Sequence, residues 1–151
     1  MPDFAKEFSW VPHLCWGTVL EEGEEPSSDR VRAAAGPGTV VALHGVYEYD
    51  GPVAELPGGP AWLEQIERVP EADRHLTVHE QHCVGLNAAD DAAWDDGAHA
   101  LLKSVTVSGT RDEVRQRLEA LAEQGATEVV YQPAGPDIRR ELETFMEAAR
   151  E

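Results

Sequence analysis

Val107-Ser-Gly-Thr-Arg-Asp-Glu-Val-Arg-Gln-Arg-Leu118, followed by Ala126-Thr-Glu-Val-Val-Tyr-Gln-Pro-Ala-Gly135, is the stretch that decides the fold. Thr110 or Asp112 is placed to cap a helix. Val114, Leu118 and Leu121 then recur at helical spacing, and Gly125 stops the run. Glu128 to Gln132 is a short β-rich segment closed by Pro-Ala-Gly-Pro, and Asp137 to Arg150 is again amphipathic. A helix, a short strand and a second helix joined by tight turns form the repeating unit of a parallel α/β sheet.

Working upstream, Val105 to Val107 reads as a short extended piece, Ala88 to Leu102 as an Ala/Asp-rich helix, and Leu76 to Leu86 as a strand. Ala61 to Val69 is a short helix stopped by Pro70, and the Gly/Pro-rich Asp50 to Pro60 is a loop. Pro37 suits the first turn of a helix, where its missing N–H costs nothing. A helix is therefore expected from Pro37 to Glu48, with Val40, Val41, Leu43, His44 and Tyr47 available for burial. Glu21 to Asp29 is an acidic loop and His13 to Leu20 a strand. Residues 1–12 form an irregular arm whose Phe4, Phe8 and Trp10 are spaced to pack on something. No repeat or linker divides the chain, so residues 1–151 read as one partly parallel α/β domain.

The composition excludes several functions. With 29 acidic and 12 basic residues the formal net charge is −17, a field that repels phosphate backbones and anionic lipid, so neither nucleic acid nor membrane is expected as a partner. The runs Glu21-Glu22-Gly-Glu24-Glu25 and Asp90-Asp91…Asp95-Asp96 read as solvated faces rather than cation sites. Cys15 and Cys83 form neither a disulfide framework nor a paired-cysteine metal motif, and read as reduced thiols in apolar surroundings. No signal peptide and no apolar run of membrane length is seen, which makes the expected location cytoplasmic. There is no Gly-x-Ser-x-Gly elbow, Walker loop or dinucleotide Gly-x-Gly-x-x-Gly, so a self-contained hydrolase, kinase or Rossmann dehydrogenase has no support.

The ending resembles the C-terminus of the luciferase-like flavin-dependent monooxygenases, the family that includes F420-dependent reductases. These close with a Gly-Thr-x-x-Glu-Val-x-x-x-Leu helix, a Val-Val strand and a last helix. Ala33-Ala-Ala-Gly-Pro-Gly-Thr-Val-Val-Ala-Leu-His-Gly-Val-Tyr47 resembles the segment after that family's fifth barrel strand, and Val69 to His82 its sixth. The resemblance runs from about His13 to the end and lacks the family's first half. It implies half a TIM barrel, with an incomplete parallel sheet completed by dimerisation or by a complementary N-terminal half subunit. It implies an oxidoreductase component using FMN or F420; a non-catalytic half-barrel that binds a small molecule or a partner subunit is the other reading. On the half-barrel reading, the strand Glu128 to Gln132 lacks its usual neighbour, the first barrel strand, and needs something else to cover that edge.

Two groups of residues are singled out for chemistry. Gly36, Gly38 and Thr39 sit where a helix is expected to begin. Free N–H groups there would hold a phosphate, by resemblance that of the flavin or F420, though an ordinary Gly-Pro helix start has the same look. Gly135-Pro136 before the last helix offers a second such place, or simply a turn with Asp137 in the first helical turn. His79 and Glu80, directed into the barrel interior, are the candidate acid–base residues, with a structural hydrogen-bonding role as the alternative. His75 and His79 on one strand would stand about 13 Å apart, too far to chelate one ion, and no metal is expected.

Overall fold

The computed structural model describes residues 7–150. Its elements in chain order are β1 (Pro12–Cys15), α1 (Asp29–Glu48), α2 (Gly59–Glu67), α3 (Arg74–Val78), α4 (Ala88–Asp95), α5 (Leu102–Val105), α6 (Arg111–Glu123), β2 (Glu128–Tyr131) and α7 (Ile138–Arg150). The architecture is α/β, mostly helical, with a small parallel sheet. No helix among the described residues is long and apolar enough to cross a membrane.

The C-terminal unit forms as its sequence predicts. Thr110 Oγ1 accepts from Glu113 N–H while the Glu113 carboxylate accepts from Thr110 N–H, a reciprocal cap that satisfies two otherwise orphaned donors at the start of α6. Gly125 ends the run with φ of 100°, a left-handed conformation that only glycine adopts cheaply. β2 and α7 follow.

β2 does not wait for an outside strand. It pairs in parallel with β1, Pro12 opposite Glu128 through Cys15 opposite Tyr131, which corrects the expectation that this edge lies open within the chain. The carbonyls of Val11 and Cys15 accept from Thr127 and Gln132, whereas those of Trp16 and Thr18 accept from Val107 and Gly109. Alternate carbonyls of an extended chain point to opposite edges. The N-terminal strand therefore runs between β2 on one side and residues 107–109 on the other. Trp10, exposed, reaches the same sheet and donates from Nε1 to Glu128 at 2.6 Å. Phe4 lies outside the described residues.

α6 and α7 cover one face of the sheet, where Cys15, Val19, Val107, Val114, Leu121, Phe145 and Ala148 form a buried cluster. Tyr131 and Phe145 stack there with ring centroids 3.9 Å apart. A second core lies among the helices: Leu43 of α1, Trp62 and Ile66 of α2, Val78, and Ala89 and Ala93 of α4.

Three local expectations fail, each for a packing reason. α1 begins eight residues before Pro37, with Asp29, because the Ser28 side chain caps it by accepting from Val31 N–H. Gly38 lets the helix continue against Trp16, where a side chain would collide, and Gly36 packs closely on Leu86 and Trp94. The expected strand Leu76 to Leu86 is instead α3 followed by turns. Thr77 and Val78 favour strands, but Val78 is buried under the helical core, and the Asn87 amide donates to the carbonyls of Thr77 and Glu80. The long helix from Ala88 breaks after Asp95 at Gly97, which has φ of 109°.

Candidate acid–base site

α1, α2 and α4 converge on one buried carboxylate. Asn87 caps α4, its side chain accepting from Ala89 and Asp90 N–H, and Asp90 Oδ2 accepts from Asn87 N–H in return. That box holds Asp90 in the first turn of α4, where the helix dipole favours a negative charge. Asp90 Oδ1 then receives Trp62 Nε1–H at 2.9 Å and lies 2.8 Å from His44 Nε2. Asp90, Trp62 and His44 are all almost fully buried.

The other ring nitrogen of His44, Nδ1, is 2.9 Å from Nδ1 of half-buried His82. His82 sits in the turn after α3, between Gln81 and Cys83, both with positive φ (57° and 63°). Such backbone in residues other than glycine costs about 1–3 kcal/mol and persists where surrounding contacts impose it. Burial pulls the His82 imidazole below its ordinary range, His44 and His79 push the same way, and Glu48 and Asp90 oppose them. Beside it, edge-on with ring centroids 5.1 Å apart, lies His79, whose Nε2 is 2.5 Å from Glu48 Oε1. His79 and Glu48 border a surface groove of about 330 Å³ together with Tyr47, Arg74 and His75. The arrangement is thus two carboxylate-oriented imidazole systems side by side, suited to holding and passing protons.

The structure relocates the residues singled out from sequence. His79 joins this cluster, but on the exposed surface after a short helix rather than inside a barrel, and Glu80 is exposed, its side chain without a hydrogen bond among the described residues. The separation of His75 from His79 that a strand would impose does not apply, since the segment is helical. Among the described residues no group of three or more His, Cys, Asp or Glu side chains is arranged to hold a metal ion.

Gly36, Gly38 and Thr39 fall in the middle of α1, all buried, and Thr39 Oγ1 donates to Ala35 O at 2.8 Å. The free N–H groups that would hold a cofactor phosphate are spent inside the helix, and Trp16 fills the space beside Gly38. These residues do not fit an FMN or F420 phosphate. At the other proposed helix start, Asp137 Oδ1 accepts from Arg140 N–H, so a carboxylate of the chain itself occupies the N-terminus of α7.

His44, Trp62 and Asp90 were not legible as a site. Asn87 three residues before Asp90 was the only local sign that this aspartate is held rather than solvated. A further polar cluster stands at the end of the N-terminal strand. Buried Glu141 accepts from Thr18, Arg30 and Arg140 (2.6, 3.0 and 2.9 Å), and both arginines also donate to Val19 O. Its charges are matched internally, which makes it a clasp between α1, α7 and the strand.

Neither a protein-family model, nor a curated protein, nor a solved structure matches this chain.

Proposed function

We propose that this chain is one component of a flavin- or F420-dependent oxidoreductase of the luciferase-like kind, made whole by a second copy or by a complementary N-terminal half. The observation that carries the reading is the unfinished sheet. Among the described residues β2 has a strand on one edge only. The register partners Leu14 and Val130 lie side by side, 53% and 45% exposed. A closed parallel barrel leaves no such edge and no bare apolar face, and a completing half would cover both. The C-terminal helix–strand–helix is one unit of the kind that such a barrel repeats, although the N-terminal strand, and not residues 107–109, lies beside β2. Because Gly36, Gly38 and Thr39 do not fit the cofactor phosphate, the phosphate contacts are assigned to a complementary N-terminal half or, in a pair of copies, to residues other than these, and this chain contributes wall and rim.

The alternative is a non-catalytic half-barrel that binds a partner subunit. Ile138, Leu142 and Met146 favour it: spaced four residues apart on α7, they form an exposed apolar stripe. Light scattering at micromolar concentration, with FMN and F420 fluorescence titrated in parallel, separates the readings. Self-assembly with a fluorescence change supports the oxidoreductase component. Assembly without one favours the alternative, and a monomer that leaves both fluorophores unchanged refutes the proposal for a self-completing protein.

A further inference from the structure

We infer that His82 Nε2 is a proton-accepting site, backed by His44 and Asp90, for a neutral hydroxyl or thiol donor. The argument is one of hydrogen-bond direction. An ionised carboxylate only accepts, so Asp90 Oδ1, 2.8 Å from His44 Nε2, requires that nitrogen to carry a proton. Neutral His44 then presents a bare Nδ1. The 2.9 Å contact between the two Nδ1 atoms needs one donor, and that donor is His82. A neutral His82 with its proton on Nδ1 has its lone pair on Nε2, and among the described residues that nitrogen has no hydrogen-bond partner. The buried carboxylate thus fixes, two rings away, which nitrogen meets solvent.

The same chain gives an accepted proton somewhere to go. When Nε2 takes a proton from the donor, leaving an alkoxide or thiolate, the Nδ1 proton of His82 can pass to His44 Nδ1. His82 is then neutral again, and the positive charge rests on His44 against Asp90, where opposite charges offset burial. The donor is assigned as neutral because Glu48, Asp90 and the net charge of −17 all disfavour an anion beside the ring.

Long-range proton–nitrogen NMR on the whole protein at pH 8 reads the tautomers directly. The expected result is a bare Nε2 and protonated Nδ1 on His82, with a protonated Nε2 on His44. Diethyl pyrocarbonate, which is attacked by a bare ring nitrogen and loses ethanol and carbon dioxide, should acylate His82. In Asp90→Asn the protonation midpoint of the His44–His82 pair should move to lower pH, since the charge that steadies an imidazolium is gone. A protonated Nε2 on His82, no acylation there, or an unmoved midpoint in Asp90→Asn would each overturn the inference. If that variant does not fold, the wild-type tautomers and acylation decide the matter.

Discussion

Gly38 in α1 lies so close to Trp16 that a Cβ added to it would stand 2.3 Å from Trp16 Cβ, whereas a Cβ on Gly45, two turns further along, would meet nothing within 4 Å. The two glycines therefore respond oppositely to the same change. Gly38→Ala should cost about 1–3 kcal/mol by forcing the helix off the strand. Gly45→Ala should add about 0.5–1 kcal/mol by removing backbone freedom from the unfolded chain. Urea unfolding of both variants checks this, and a shared direction of effect would show that the helix–strand contact is looser than described.

Asp90→Ala leaves His44 Nε2, Trp62 Nε1 and Asn87 N–H without their acceptor inside the helical core. The expected loss is about 3 kcal/mol or more. Its neighbour Asp91 pairs with Arg32 at the surface, and Asp91→Ala should cost less than about 1 kcal/mol. Comparable denaturation midpoints for the two would contradict the central role given to Asp90.

Glu24 is held down to about 2, chiefly by its hydrogen bond from Arg30, with Glu21 N–H and Ser28 adding to it against a smaller cost of burial. A carboxyl group lowered in the folded state stabilises above its unfolded value of 4.5 and loses that contribution as the pH falls towards 2. Stability measured by urea unfolding between pH 5 and 2 should fall more steeply in the wild type than in Glu24→Gln. Parallel curves would show that the Arg30 contact does not persist in solution.

Burial pushes the Cys15 thiol up to about 11, and Cys83 is raised for the same reason but is only half-buried. At pH 8 iodoacetamide should alkylate Cys83 in the native protein and Cys15 only in denaturant, because the thiolate is the reactive form. Peptide mass mapping over time distinguishes the two. Simultaneous labelling would mean that the N-terminal strand opens under native conditions.

What the sequence made legible was what neighbours decide. Thr110 and Glu113 cap one another three residues apart, Gly125 supplies a positive φ, and the helix–strand–helix ending follows from those local choices. Leu76 to Leu86 misleads because its β-favouring Thr77, Val78 and Val84 are overruled from outside, by Asn87 gripping carbonyls and by the core that takes Val78. Gly36-Pro37-Gly38 looks like a helix start because the packing against Trp16 and Leu86 that tolerates it mid-helix is not local either. The acid–base cluster was the least legible part. His79 could be named, but its partner Glu48 lies 31 residues earlier. Asp90 looked like one more solvated acid, and it meets His44 and Trp62 only once three helices pack together.

The central place of the N-terminal strand dictates an order of assembly. Its sheet partners lie far along the chain: Thr18 N–H bonds to Ser108, 90 residues on, and Val11 N–H to Thr127, 116 residues on. Contacts of such long sequence separation carry a large loop-closure cost and slow folding. During synthesis the helices from Asp29 to Val105 can gather around Trp62 while the strand waits unpaired. The first residues to be made in this sheet are thus the ones whose pairing is decided last.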